Sequence, residues 1–172
     1  MFFKQFRTLS LQKNITLILK SRIRNFKSGK VNSIGVVFDY NSYYDYDFFT
    51  NLTKELGLND NRIRFIAKVD LEKNKPNSWD SFFSSNDFDW LGRPKSYEIE
   101  EFVEQQFDVL ISYYKPNQLE LNLVTARSKA NFKIGISNED ARLHDLTIDI
   151  EPKNTDVFKL ELIKYLTQLN RL

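Results

Sequence analysis

The chain has 172 residues, 41% of them hydrophobic and 15% aromatic, with no cysteine and a formal net charge of +2. That length fits one domain with a single sizeable core, and the composition excludes a disordered chain. The lack of cysteine excludes disulfides, thiolate metal sites and cysteine nucleophiles, and it fits a reducing compartment.

The small net charge hides a division. Residues 1–30 hold eight of the 25 Lys and Arg residues and none of the 23 acidic ones. A segment of +8 therefore precedes a body with 17 basic and 23 acidic residues. Such asymmetry concerns partners more than fold.

Residues 1–28 read as a helix, because Ile15, Ile18, Leu19, Ile23 and Phe26 recur at helical spacing with Lys20, Arg22, Arg24 and Lys27 on other faces. Phe2, Phe3, Phe6 and Leu9 extend the same face by an earlier turn, with a break at Ser10 and a stop at Gly29. No apolar run reaches the roughly 18–20 residues of a membrane span. Lys13, Asn14 and Lys20 interrupt any secretory h-region. The acid-free start shares its composition with organellar transit peptides but runs unbroken into the body, so a cytoplasmic protein is expected.

A strand follows over 34–39, a short apolar run of the kind buried in parallel sheets. Phe48, Phe49, Leu52 and Leu56 then mark a helix with an acidic cap at Asp47 and a stop at Gly57. A second strand spans 62–69. Residues 70–95 break any period, yet Trp79, Phe82, Phe83, Phe88 and Trp90 lie among them, so 76–95 reads as an aromatic-rich insert, either a lid or cover for a sheet edge. A helix over about 97–105 leads to a strand at 107–112, a helix at 118–129, and strands at 132–136 and 146–150. The last helix starts at Thr155, with Val157, Phe158, Leu162, Ile163, Leu166 and Leu169 as its apolar stripe.

Strands alternating with helices predict a three-layer, doubly wound α/β domain over 31–172, with residues 1–30 as a basic helical extension. Its sheet is expected to be mostly parallel and five-stranded, Rossmann-like or flavodoxin-like.

Motifs for chemistry are absent. With five glycines, no G-x-G-x-x-G follows the first strand and no P-loop exists, nor is there an H-E-x-x-H or G-x-S-x-G. No catalytic residue, metal or cofactor is expected. The single histidine, His144, reads either as a general base oriented by Asp145 or as a loop residue capping local backbone. Six of eight tyrosines follow two strands directly, which gathers a candidate ligand cleft at one end of the sheet. Its members are Asp39, Tyr40, Tyr43, Tyr44, Tyr113, Tyr114, Lys115, Ser137 and His144. Those tyrosines either form a binding surface or pack to close the sheet end.

The basic segment supplies a second candidate, a polyanion-binding set of Lys4, Arg7, Lys13, Lys20, Arg22, Arg24, Lys27 and Lys30. It admits three readings: contact with RNA or DNA phosphates, attachment to an anionic membrane surface, or docking on its own body with the charges solvated.

The stretches 31–39 (VNSIGVVFD), 76–79 (PNSW), 107–114 (FDVLISYY), 119–126 (LELNLVTA) and 132–137 (FKIGIS) resemble a small bacterial family of unknown function. A more distant likeness, through Asp108–Ile111 and Lys133–Gly135, is to the N-terminal half of heptosyltransferase-type glycosyltransferases. Those enzymes bind the nucleotide-sugar mainly through a second Rossmann-like domain, for which this length leaves no room. The likeness implies the fold and argues against intact transferase activity. The leading expectation is a non-catalytic protein that binds RNA or a ribonucleoprotein through its basic helix. The alternatives are an anionic membrane surface or a reduced sugar-nucleotide-binding domain.

Overall fold

The computed structural model describes residues 2–24, 29–42, 45–70 and 81–172. Phe26, Lys27, Tyr43, Tyr44, Pro76 and Trp79, all singled out above, lie outside the described residues. Helix α1 (Phe2–Ser21) is followed by β1 (Ile34–Asp39), α2 (Tyr46–Glu55), β2 (Ile63–Lys68) and β3 (Ser81–Phe83). Then come α3 (Tyr97–Glu104), β4 (Val109–Tyr113), α4 (Leu119–Arg127), β5 (Phe132–Gly135), β6 (Leu146–Thr147) and α5 (Thr155–Gln168). The strands form one parallel sheet in the order β3-β2-β1-β4-β5-β6. This is the Rossmann-like doubly wound arrangement, with its topological switch between β1 and β4.

The sheet has six strands rather than five. The extra one, β3, lies inside the stretch read as an irregular insert, and it pairs Ser81–Phe83 with Ile66–Lys68 at the sheet edge. Three residues are too short to show a period, so the strand is formed by its partner rather than by its own pattern.

Side chains alternate across the sheet. Val36, Phe38, Ile111, Tyr113 and Ile134 face α2 and α5, whereas Val37, Ile66 and Leu110 face α1, α3 and α4. Asp45 caps α2 by accepting from the Phe48 N–H at 2.8 Å, and the helix gives way to Gly57 at φ +76°. In α5 the buried stripe is Phe158, Leu162 and Leu166, while Val157 and Leu169 are exposed. Val157 lies about 100° round the helix from Phe158, and Leu169 lies just past the helix end.

Helix α4 is buried from Glu120 to Ala126 without interruption. The sheet covers one side and α1 the other: Leu11, Ile15 and Leu19 are core residues in the cluster that holds Leu121, Leu123 and Val124. Helix α1 runs without a break at Ser10 and ends at Ser21. Ile23, expected on the buried face, is 80% exposed, because the helical spacing stops before it. Phe3, Phe6 and Leu9 are exposed as well. Leu9 precedes Leu11 by two residues, which in a 3.6-residue period sets it across the helix from the buried stripe.

Candidate functional site

Ligands of open α/β sheets bind at the strand carboxyl ends beside the switch point. Here Asp39 closes β1, Lys68 closes β2, and Gln118 and Glu120 open α4. These groups are joined to one another. Gln118 donates from Nε2 to Asp39 Oδ2 (3.2 Å) and accepts from Lys68 Nζ (3.2 Å). Lys68 also pairs with Glu120 at 3.2 Å, and Arg7 reaches Glu120 at 3.3 Å and the Ser85 carbonyl at 2.6 Å. Burial alone would raise the Glu120 carboxyl, but Lys68 and hydrogen bonding outweigh it and hold the group below its ordinary range. Ser42 and the Asn41 N–H occupy the remaining side of the Asp39 carboxylate. At the start of α2, where dinucleotide folds seat a phosphate, the Asp45 carboxylate already takes a backbone N–H.

The tyrosines do not share one surface. Tyr40 lies edge-on to Phe82 at 5.7 Å. Tyr113 is buried in the α2/α5 layer, its ring 5.1 Å from Phe49 and 5.0 Å from Phe158, and its hydroxyl donates to the Pro152 carbonyl at 2.8 Å. Tyr114 is buried on the opposite side of the sheet, bonded to Thr125 Oγ1 at 2.8 Å, and burial pushes its hydroxyl pKa up. Among the described residues of the predicted cleft, Tyr114, Lys115 and Ser137 meet in an open cleft of about 470 Å³ where Lys115 pairs with Glu151 at 3.2 Å.

His144 sits elsewhere, buried on the α1 side of the sheet against Gly135. Beside it Lys133, also buried, donates to the Thr125 and Ala126 carbonyls at 2.7 and 3.2 Å and so caps the end of α4. Burial, then the nearby Arg22, pushes the Lys133 amine down to about 7. Burial, then Lys133 and Arg22, pushes the His144 imidazole down from 6.5 to about 4. Asp145 does not orient the ring: its Oδ2 accepts from Arg22 at 2.5 Å and from the Lys133 N–H at 2.9 Å.

This shift carries a pH dependence. Between about pH 6.5 and pH 4 the unfolded chain binds the His144 proton more readily than the folded one. Stability present above pH 6.5 is thus lost as pH falls toward 4, by about 3 kcal/mol at about 1.4 kcal/mol per pKa unit. Urea denaturation at pH 7 and pH 4 measures it, and His144→Gln should flatten the slope across that window.

The basic residues of the N-terminal segment divide into two groups. Arg7 is committed to the switch-point network. Arg22 binds Asp145 and the Arg142 carbonyl (3.1 Å), and Arg24 lies 3.5 Å from Asp145 and donates to the Ala141 carbonyl at 3.0 Å. Lys4, Lys13, Lys20 and Lys30 are exposed, and among the described residues none of them forms an ion pair. The outer side of α1 carries a second stripe, Phe6, Leu9, Lys13, Leu17 and Lys20, spaced three, four, four and three residues apart. Phe6, Leu9 and Leu17 are 65%, 64% and 55% exposed. Leu17 and Leu9 belong to this outer face and not to that of Ile15 and Leu19, and the spacing in the sequence is their one signal. Among the described residues no helix is long and apolar enough to cross a membrane.

The fold and this surface define a doubly wound α/β protein whose strand-end polar groups are paired with one another and whose N-terminal helix is apolar on two sides. A family of unknown function, DUF6913, matches residues 7–169. The chain belongs to that family. No curated protein and no solved structure matches it.

Proposed function

We propose that the protein is a non-catalytic peripheral membrane protein that lays the outer face of α1 on an anionic bilayer surface, from the cytoplasmic side. The observation that carries this is the stripe Phe6–Leu9–Lys13–Leu17–Lys20 on a helix without a single acid, whose other apolar stripe is already docked on α4. Such a helix lies in the interface plane, its apolar side chains at the acyl boundary and its lysines among anionic headgroups, each lysine contributing about 1 kcal/mol.

RNA or a ribonucleoprotein would use the same charge. One feature favours lipid over it: Arg7, Arg22 and Arg24 are spent on the protein's own acceptors. A sugar nucleotide, as the heptosyltransferase likeness suggests, is less favoured because Asp45 and the Asp39–Gln118–Lys68–Glu120 network occupy the phosphate-side groups.

Cosedimentation with vesicles tests the reading. Binding is expected to vesicles of phosphatidylcholine with phosphatidylglycerol, to weaken with added salt, and to be lost on pure phosphatidylcholine. Leu9→Asp with Leu17→Asp should abolish it and leave the melting temperature unchanged, since both positions face solvent. Vesicle binding that survives the double substitution, or RNA binding that anionic vesicles cannot displace, would overturn the proposal.

A further inference from the structure

The membrane reading leaves one exposed feature unused. Trp90 and Leu91 are 49% and 50% exposed, yet they occupy one of the most closely tied turns of the molecule. The Asp89 carboxylate accepts from the Leu91 and Arg93 N–H groups, both at 2.8 Å, and the Asp89 carbonyl accepts from Gly92 at 3.0 Å. Gly92 has φ +70°, and a Cβ there would lie 2.9 Å from Leu123 and 3.1 Å from Leu11, so the base of the turn is seated on the α1–α4 core. Ser10 of α1 donates to the Trp90 carbonyl at 2.7 Å. A turn held this way cannot fold its two large apolar side chains inward.

The indole lies among aromatic neighbours. Phe3 and Phe6 approach it with ring centroids 6.5 and 6.4 Å away, which joins the turn to the amino-terminal end of the outer α1 stripe. Among the described residues the indole N–H has no protein acceptor, and Arg93, three residues on, is exposed. An amphipathic ring with a spare donor suits the headgroup level of a bilayer.

We infer that the Trp90–Leu91 turn is a membrane-inserting tip, so that the amino-terminal half of α1 sits deeper in an anionic bilayer than its carboxyl-terminal half. The inference rests on the membrane reading above. Because the chain has no cysteine, Leu91→Cys and Leu160→Cys each create a single labelling site, the second an exposed position on α5 in the opposite layer. With a nitroxide attached and phosphatidylcholine/phosphatidylglycerol vesicles added, the label at 91 should lose accessibility to an aqueous nickel complex by severalfold. The label at 160 should not change. Trp90→Ala with Leu91→Ser should weaken cosedimentation about tenfold without altering the melting temperature. If the protein sediments with vesicles while the label at 91 stays as accessible as that at 160, the tip is refuted and α1 docking stands. If the protein does not sediment at all, both are refuted.

Discussion

Leu11→Asp or Ile15→Asp is expected to unfold the protein. Both residues are buried between α1 and α4, Leu11 completely. Truncating such a side chain in a close-packed core costs about 2–5 kcal/mol. An ionised carboxylate with no partner adds its own desolvation penalty. The sum is comparable to the roughly 5–15 kcal/mol that holds a domain together. Loss of the cooperative urea transition and of near-ultraviolet circular dichroism would be the readout. Removing residues 1–28 should have the same result, because it strips the cover from a helix buried along Glu120–Ala126. A truncated chain that melts cooperatively near the full-length temperature would contradict this. The contrast with Leu9 and Leu17 is instructive: the same substitution two residues away should cost vesicle binding and leave stability intact.

Gly135→Ala should destabilise the fold by about 3 kcal/mol, the upper end of the usual overpacking cost. A Cβ at this position would stand 2.3 Å from Cε1 and 2.4 Å from Nδ1 of His144. The ring is confined: it is buried on the α1 side of the sheet, and Lys133 and Arg22 lie close by. The denaturation midpoint should fall with an unchanged m-value. Combining Gly135→Ala with His144→Ala should recover part of the loss, because the second change removes the atoms that clash, and a double-mutant cycle would show this as coupling between the two sites. Additive effects would mean that the clash is relieved by backbone movement instead.

Much of the fold was legible in the order of residues. The runs at 34–39 and 107–112 are apolar on both faces because parallel central strands are covered on both sides, and such runs stand out in any sequence. The helix stop at Gly57 is signalled by a residue whose role is local, whereas the acidic cap is Asp45, two residues before the expected Asp47. The edge strand β3 was not legible, since its three residues take their conformation from β2. Ile15, Ile18 and Leu19 do mark the face of α1 that meets the body, but Phe3, Phe6, Leu9 and Ile23 do not share it, for a related reason. With apolar residues at 6, 9, 11, 15, 17, 18 and 19, the helix carries two stripes, and periodicity alone does not say which one meets the body.

The candidate site divides along the same line. Residue order alone establishes that residues 1–30 are basic and acid-free, that nucleotide-binding glycine loops are missing, and that strands and helices alternate. Those are properties of composition and short-range spacing. Which charges remain available is settled by the fold. It closes Arg7, Arg22 and Arg24 onto Glu120, Asp145 and backbone carbonyls more than 70 residues away, and it turns Tyr113 and Tyr114 inward to opposite sides of the sheet. Whether a cation or a ring is spent inside the molecule or offered outside depends on partners distant in the chain. That is set by packing, not by its neighbours in sequence.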